Sequence, residues 1–355
     1  MFRTAGAEPA PTSSGTLVAA VVQAGARLFD TPANLAAAER WIRDAAGQGA
    51  RLVVLPEAYL GGCPKGLDFG VTVGTRTPEG RELFRRYFES AVEVSGPQVR
   101  RLAGVTRELG VHAVVGAVER AGATLCCVAL YFGPQGCLGK HRKLMPTAAE
   151  RTIWGSGDGS TMPVLHAGRA AFPAAICWEN DMPLFRTALY GKGVDVWCAP
   201  TVDDRESRQA TTKHIALEGR CFALSANQYL RRSAPPADVH PVQGDDPDTV
   251  LMGGGSTVVS PLGEVLAGPP RASSPSSSTS VTSHAHASTA TPSATTPART
   301  SSPSPSTRRH AAHIPDRAYC RQRDVHPPGV PGFTVRPEPM SELSERVRAW
   351  RRQCS

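Results

Sequence analysis

FPAAICWENDMP, residues 172–183, places a cysteine where a short apolar run gives way to polar residues. Cys177 closes the run, and Trp178, Glu179 and Asn180 follow it directly. A thiol at this position is either a core cysteine at the end of a strand or a nucleophile held at the rim of a sheet. A nucleophile needs a base or a positive group nearby, because a cysteine with its ordinary pKa of about 8.5 is mostly protonated at neutral pH.

Short apolar runs alternate with amphipathic segments between residues 16 and 268. The predicted strands are LVAAVVQ, RLVVLPE, VHAVVGAVE, LCCVALYF, FPAAIC, VDVWCAP and CFALSAN. TPANLAAAERWIRDAAGQG predicts a helix with Thr31 as its cap, Pro32 in its first turn and Gly47 after its end. Further helices are predicted at SGPQVRRLAGVTRELG, MPLFRTALYG and TTKHIALEG. The pattern predicts one α/β domain with its chemistry at strand ends.

Glu57 stands directly after one of these apolar runs, in LVVLPEAYLGG, with Pro56 at the exit from the strand. A carboxylate at the end of a buried strand is partly desolvated, so its affinity for protons rises, as a general base or acid requires. The alternative interpretation is an ordinary surface loop residue.

A third segment, GKHRKLMPTAAERTIWGSGDGS at residues 139–160, combines a basic cluster with a second acid and a glycine-rich loop. The loop lacks the GxxxxGK[ST] pattern of a phosphate-binding loop. Lys143 can supply positive charge to an anion that develops beside a cysteine. Glu150 is either an assisting residue of the same site or a salt-bridge partner at the start of a helix or loop.

With Glu57, Lys143 and Cys177 in this chain order, the sequence resembles the nitrilase branch of the carbon–nitrogen hydrolase superfamily. The matching motifs run from residue 16 to residue 268: LPEAYLGG-PKG, PEGRELFRRYFESAVEV, HRKLMPT--ERTIWGSGDGS, ICWEN-MPL-R, APT-DDR and HIALEGRCFALSANQY. The resemblance implies a four-layer αββα sandwich with no cofactor and no metal. It also implies self-association through the sheet into a homo-oligomer or, with an intact C-terminus, a filament. It further implies hydrolysis of a small organic nitrile, with cyanide hydratase or dihydratase activity as the alternative.

Carried over to this chain, the chemistry assigns Glu57 as the base that takes the thiol proton of Cys177. The thiolate adds to the nitrile carbon and forms a thioimidate. Lys143 stabilises the tetrahedral species, and Glu150 assists in positioning or protonation. Water then releases ammonia and finally the carboxylic acid.

The residues around these groups have lesser expected roles. Trp178 and Asn180 are expected to shape the pocket. His214 is expected to be a structural, hydrogen-bonding histidine, and Glu218 to orient the site.

Three positions near the expected pocket depart from the family pattern and bear on substrate choice. Cys63 stands where the family usually has an aromatic residue, and Pro173 where it often has glycine. Asp181 replaces a residue that is commonly larger. None of the three removes a catalytic group.

Composition excludes several other classes of function. The chain has 355 residues and a net charge of +8, but residues 270–355 hold twelve arginines against five acids, so the rest is nearly neutral and predicts no nucleic-acid partner. No apolar run approaches the roughly 20 residues of a membrane span, and the start of the chain does not resemble a signal peptide. Nine cysteines without a regular framework fit reduced thiols, so a cytoplasmic enzyme is expected.

The character of the sequence changes after Gly268. Residues 1–15 and the Ser/Thr/Pro/Arg-rich tail 269–355 predict disorder on composition. The neighbouring codon frame of residues 293–306 permits GHYARPDVFTLTV, close to the closing motif of the family. That of 271–293 permits GVLAVVVDVGDLARARFD, then one residue that cannot be the expected Phe, then DAV. We therefore predict a one-base frameshift near Gly268–Arg271, against the alternative of a natural tail. Sequencing the gene across this point tests the prediction. A true tail would deprive the sheet of its last strand, leave an unpaired edge and favour an inactive remnant.

Overall fold

The computed structural model describes residues 17–268 and 280–285, the latter for the backbone only. The helices are α1 Thr31–Gly47, α2 Pro78–Ser90, α3 Pro97–Leu109, α4 Pro183–Tyr190 and α5 Glu206–Gly219. The first strands are β1 Leu17–Val22, β2 Leu52–Val54, β3 Val71–Thr72, β4 Thr75–Arg76, β5 His112–Ala121, β6 Thr124–Gly133, β7 Gly136–Arg142, β8 Leu165–Ala167 and β9 Ala170–Phe172. The remaining strands are β10 Val196–Thr201, β11 Phe222–Asn227, β12 Tyr229–Arg231, β13 Val250–Gly253, β14 Thr257–Val259, β15 Val265–Ala267 and β16 Ser280–Ala285.

Two mixed sheets form the centre of the domain. The larger has six strands in the order β16-β1-β2-β5-β6-β7, and the smaller has four in the order β10-β11-β14-β15. In the larger sheet β1, β2 and β5 are parallel, whereas β6 and β7 join by antiparallel pairing. In the smaller sheet β10 and β11 are parallel, and β14 pairs antiparallel to β11. The carboxyl ends of β2 and β10 therefore lead into loops that can carry a site.

Alternation of side chains along the strands separates three hydrophobic cores. On β1, Val21 packs between the two sheets, whereas Val22 packs in the core shared with α1 and α3. On β10, Cys198 belongs to the central core, whereas Trp197 packs in the core shared with α4 and α5. Three cores between successive layers make a four-layer αββα sandwich, and this confirms the predicted fold.

Two local predictions were wrong in detail. The side chain that caps α1 is Asp30, whose Oδ1 accepts from Ala33 N at 3.0 Å, and not the neighbouring Thr31. The run FPAAIC was predicted as a strand up to the cysteine, but β9 ends at Phe172. Pro173 has no N–H to donate, and beyond it the chain stays beside β10 only through contacts such as Ala175 N to Cys198 O at 2.9 Å.

The two predicted tails lie mostly outside the described residues. Of the tail 269–355, only Ser280–Ala285 is described, as strand β16 paired antiparallel to β1. In place of the unpaired edge expected for a true tail, β1 thus has a partner on both sides. Within residues 17–268, no helix is both long and apolar enough to cross a membrane.

Candidate active site

The three residues with the strongest expected roles come together from three separate segments. Glu57 follows β2, Lys143 follows β7, and Cys177 is the first residue of a short 3₁₀ helix, Cys177–Asp181. The side chains of Glu57 and Lys143 are fully buried, and Cys177 is 7 % exposed. The sandwich thus brings charged groups into its interior at one end of the two sheets, where each must be paired.

Lys143 bridges two carboxylates. Its Nζ lies 2.8 Å from Glu57 Oε1 and 2.7 Å from Glu150 Oε2. The backbone of Lys143 is held as well, since its N–H donates to the carbonyl of Cys127 at 2.8 Å. The ammonium is therefore fixed in position before any substrate arrives.

Burial and charge shift the pKa values of Glu57 and Lys143 in opposite directions. Burial raises the pKa of Glu57 above its ordinary value, and the charge and hydrogen bond of Lys143 offset only part of that rise. Burial alone would lower the pKa of Lys143, but the charge of Glu57 and its neighbours raises it well above the ordinary range. Lys143 is therefore a permanent cation, and Glu57 is a stronger base than a carboxylate in water.

One oxygen of Glu57 is free to act as that base. Oε1 accepts from Lys143 and, at 3.5 Å, from the thiol of Cys127. Within the described part of the chain, the buried Oε2 has no hydrogen-bond partner. The main chain of Glu57 is fixed from behind, because Gln228 Nε2 donates to its carbonyl at 2.8 Å. An unpaired buried carboxylate oxygen is costly unless a ligand or a reacting proton uses it.

Cys177 stands on a strained turn. Its φ is +50°, in the left-handed region that residues with a side chain rarely adopt. Burial, and after it the charge of Glu57, raise the pKa of the thiol to about 12, although Lys143 and a side-chain hydrogen bond with Thr201 lower it. The resting thiol is therefore neutral and must lose its proton as it attacks.

Glu150 lies in the 3₁₀ helix Ala148–Thr152 and has two functions in its local structure. Its Oε2 accepts from Thr147 N at 2.6 Å, which closes the start of the helix, and from Lys143 Nζ. Its side chain is 23 % exposed and lines the cavity beside Cys177. These contacts are those of a salt-bridge partner at the start of a helix, and an assisting role in the reaction stays a prediction.

A cavity of about 410 Å³ opens onto Cys177 and Glu150, and its volume suits a small ligand. Cys177 and Trp178 line it, together with Cys63 at a position that departs from the family pattern. Its other walls come from Pro64, Lys65, Gly66, Leu67, Thr147, Ala148, Ala149, Glu150, Ile153, Trp154, Val202, Asp203 and Arg205. The mixture of apolar walls with a few charged groups is typical of an enzyme pocket.

Asn180 lies under the turn of Cys177 and is not among the residues that line the cavity. Its Nδ2 donates to the carbonyls of Cys177 at 2.8 Å and of Ala175 at 3.0 Å. Its Oδ1 accepts from Trp197 Nε1 at 2.8 Å. Asn180 therefore holds the strained turn in place.

Asp181 and Pro173, the other two departures, also lie outside the lining. Asp181 holds the buried Arg208, with Oδ2 at 2.7 Å from Nη2. The carbonyl of Pro173 accepts from Cys198 N at 3.3 Å, which links the chain before Cys177 to β10.

His214 and Glu218 lie on α5, away from the cavity. His214 is exposed and lies 3.5 Å from Glu218 Oε1. Glu218 accepts from Arg186 Nε at 2.7 Å, and Arg186 Nη1 donates to the carbonyl of Asn180 at 3.0 Å. Glu218 thus reaches the cysteine turn only through two intermediate residues.

Sequence analysis missed four side chains that support the site. Glu179 and His141 form a buried pair at 2.9 Å, and Cys127 and Gln228 contact Glu57. His141 lies two residues before Lys143 in HRK, and Glu179 lies two residues after Cys177 in CWEN. An acid so close to the cysteine was therefore a usable signal. Cys127 gave only the weaker signal of alternation in β6, which places it in the central core and Cys126 in the outer one.

Comparisons with known proteins agree with this geometry. The model of the carbon-nitrogen hydrolase family matches residues 18–285. Over 260 residues the chain is 54 % identical to the bifunctional nitrilase/nitrile hydratase NIT4A of Lupinus angustifolius, covering 72 % of this chain and 74 % of that protein. It is 52 % identical over 251 residues to the aliphatic nitrilase of Sinorhizobium fredii, covering 71 % and 82 %.

Solved structures of lower sequence identity share the fold. A carbon–nitrogen hydrolase superfamily protein from Xanthomonas campestris, with an arsenic adduct in its active site, aligns with a TM-score of 0.57 at 17 % identity and covers 77 % of this chain and 91 % of that one. An amidase from Nesterenkonia aligns with a TM-score of 0.53 at 21 % identity, covering 71 % and 86 %. Family model, relatives and fold together show that the chain belongs to the carbon–nitrogen hydrolase superfamily, in its nitrilase branch.

Proposed function

We propose that this protein is a nitrilase that hydrolyses a small organic nitrile to a carboxylic acid and ammonia. The single observation that carries the proposal is the buried arrangement beside Cys177, in which Lys143 bridges Glu57 and Glu150 and leaves Glu57 Oε2 free. Relatives that are more than 50 % identical to the chain and are named nitrilases support the choice of a nitrile over other carbon–nitrogen substrates.

The first half of the reaction forms a covalent intermediate. Glu57 takes the thiol proton as the sulfur of Cys177 bonds to the nitrile carbon, and returns that proton to the nitrile nitrogen, which yields a thioimidate. A neutral thiol with a raised pKa needs such a base, because little thiolate is present before the substrate binds. Lys143 stabilises the negative charge that develops on nitrogen.

The second half uses two molecules of water. The first adds to the thioimidate carbon while Glu57 takes one of its protons and passes it to the nitrogen, and Lys143 stabilises the tetrahedral species. The remaining proton of the water then follows to the nitrogen, the carbon–nitrogen bond breaks, and ammonia leaves a thioester behind. The second water cleaves the resulting thioester, which releases the acid and restores the thiol. Glu150, which lines the cavity, assists by holding the ammonium of Lys143.

The same intermediate can lose the thiol instead of ammonia and release an amide. NIT4A is named both nitrilase and nitrile hydratase, so acid and amide are to be measured together. Cyanide hydration and an inactive remnant were the alternatives from the sequence. Aliphatic nitrilase among the relatives favours an organic nitrile over cyanide.

We also propose that the enzyme acts in the cytoplasm as a homo-oligomer without nucleic-acid or membrane partners. Seven described cysteines are free thiols, as in a reducing compartment. Exposed apolar residues on the outer helices, Leu184 and Leu217, offer surface for association between copies. Light scattering of the purified chain measures its oligomeric state.

The test of function is release of ammonia, acid and amide from aliphatic and aromatic nitriles and from cyanide. Cys177→Ala is the inactive variant, and Cys198→Ala, a buried cysteine of the central core, is its matched control. The proposal expects product from the wild type and from Cys198→Ala and none from Cys177→Ala. Turnover that survives in Cys177→Ala would overturn it.

A further inference from the structure

We propose that Glu179, paired with His141, is a positioning residue that sets the distance between Lys143 and Cys177. This assignment rests on the proposed function, since it concerns the geometry of the nitrilase site. Glu179 is fully buried, and it is absent from the residues that line the cavity. Because both of its carboxylate oxygens accept from protein donors, it acts through other residues and not on the substrate.

Three donors from two chain segments converge on this carboxylate. Leu144 N donates to Oε1 at 2.7 Å, and Ile176 N donates to Oε2 at 2.7 Å. His141 Nε2 lies 2.9 Å from Oε1 and 3.0 Å from Oε2. Both oxygens are thus in use, which a carboxylate can satisfy and an amide cannot.

The positions of these donors in the chain give the contact its significance. His141 and Leu144 lie on either side of Lys143, and Ile176 directly precedes Cys177. The side chain of Glu179 therefore connects residues 141–144, which contain Lys143, to residues 176–177, which contain Cys177. A displacement of about 1 Å between such groups can cost about 100-fold in rate.

His141 supplies the positive charge that allows Glu179 to be buried. Its Nδ1 contacts the carbonyl of Thr161, and its Nε2 contacts the carboxylate. Since neither partner can donate, both ring nitrogens carry a proton and the ring is an imidazolium. The buried pair is thereby neutral as a whole, although each group alone would be costly.

Glu179→Gln is the direct test. The glutamine keeps the size of the side chain. However, its NH₂ group replaces one of the two carboxylate oxygens, so either Leu144 N or Ile176 N loses its acceptor. We expect kcat for nitrile hydrolysis to fall 10- to 100-fold while KM changes less than threefold. We also expect iodoacetamide to alkylate Cys177 at least threefold more slowly at pH 8. The reason is that a displaced Lys143 lowers the pKa of the thiol less than Lys143 does in the wild type.

Glu119→Gln is the matched control. Glu119 is also a buried carboxylate, and it accepts from Lys140 and from Arg142, at 2.7 Å, on the same strand as His141. It does not contact the cysteine segment. We expect a loss of stability similar to that of Glu179→Gln, but unchanged kcat and unchanged alkylation of Cys177.

His141→Gln keeps the test decisive if Glu179→Gln does not fold. Its amide still donates to Glu179 but carries no charge, so a smaller loss of kcat in the same direction is expected. Unchanged kcat and alkylation in folded Glu179→Gln, or in His141→Gln, would overturn the assignment. If the wild type hydrolyses no nitrile, the proposed function fails on that result, and alkylation of Cys177 alone decides about Glu179.

Discussion

The ammonium of Lys143 lies 2.8 Å from Glu57 Oε1, while the second oxygen of the same carboxylate has no partner among the described residues. One half of Glu57 is thus used to hold a cation and the other half is available for a proton. Because both residues are fully buried, neither water nor bulk ions weaken this arrangement.

Removal of the buried ammonium is expected to stop turnover. Lys143→Met leaves two carboxylates close together without a cation, so kcat should fall by at least 100- to 1,000-fold, as for loss of one stabilising donor in a preorganised site. Lys140→Met is the matched control, since Lys140 lies on β7, three residues before Lys143, but pairs with Glu119. Steady-state kinetics of the two folded variants checks the prediction, and equal losses in both would contradict it.

The resting thiol is expected to react slowly at neutral pH. Burial raises the pKa of Cys177 to about 12, so its alkylation by iodoacetamide should keep increasing with pH up to pH 9 and beyond. Lys143→Met should slow it further, because the charge of Lys143 lowers this pKa. Quantitative mass spectrometry of the Cys177 peptide follows the rate. A plateau between pH 6 and 8 would show that a thiolate already exists.

Backbone strain at the nucleophile is expected to appear in stability. With φ at +50°, Cys177→Gly should be more stable than Cys177→Ala by about 1 kcal/mol, since glycine adopts this conformation without a steric penalty. Cys198 lies in strand β10, where glycine should instead be the less stable replacement. Urea unfolding of the four variants measures both differences. The same order of stability at both positions would exclude strain as the cause.

The pair of His141 and Glu179 is expected to make stability depend on pH. Burial lowers the pKa of His141, but its hydrogen bond and charge contact with Glu179 and its contact with the Thr161 carbonyl together raise it above 6.5, against the charge of Lys192. The pair therefore contributes its full stabilisation below pH 6.5 and loses it as pH rises through the raised pKa.

The difference in free energy of unfolding between wild type and His141→Gln measures this contribution. It should be largest near pH 6 and should shrink toward pH 9. A difference that grows with pH would mean that His141 is neutral in the folded protein.

Much of the site could be predicted because its residues follow apolar runs. Glu57 comes directly after the apolar run that contains β2, and burial of that run accounts for the burial of the carboxylate. Cys177 lies beyond the end of β9, because Pro173 ends the pairing earlier than the apolar run suggests. The order Glu57, Lys143, Cys177 along the chain, shared with the family, then indicated that the three residues belong to one site.

The supporting contacts could not be predicted, since they depend on how distant segments meet. Glu179 is 38 residues from His141 and 35 residues from Leu144, and two of its three donors are backbone groups that no sequence pattern marks. Similarly, the amide of Gln228 reaches the carbonyl of Glu57 across 171 residues. Such contacts follow from the packing of the two sheets and not from local propensity.

The central claim is covalent catalysis by Cys177, and trapping the intermediate tests it most directly. The wild type and Cys198→Ala are mixed with a nitrile substrate and quenched in acid within the first turnover, and their peptides are analysed by mass spectrometry. The account predicts an adduct with the mass of the thioimidate or thioester on the Cys177 peptide in both proteins. Product formation with an unmodified Cys177, or an adduct on Cys63 in its place, would contradict it.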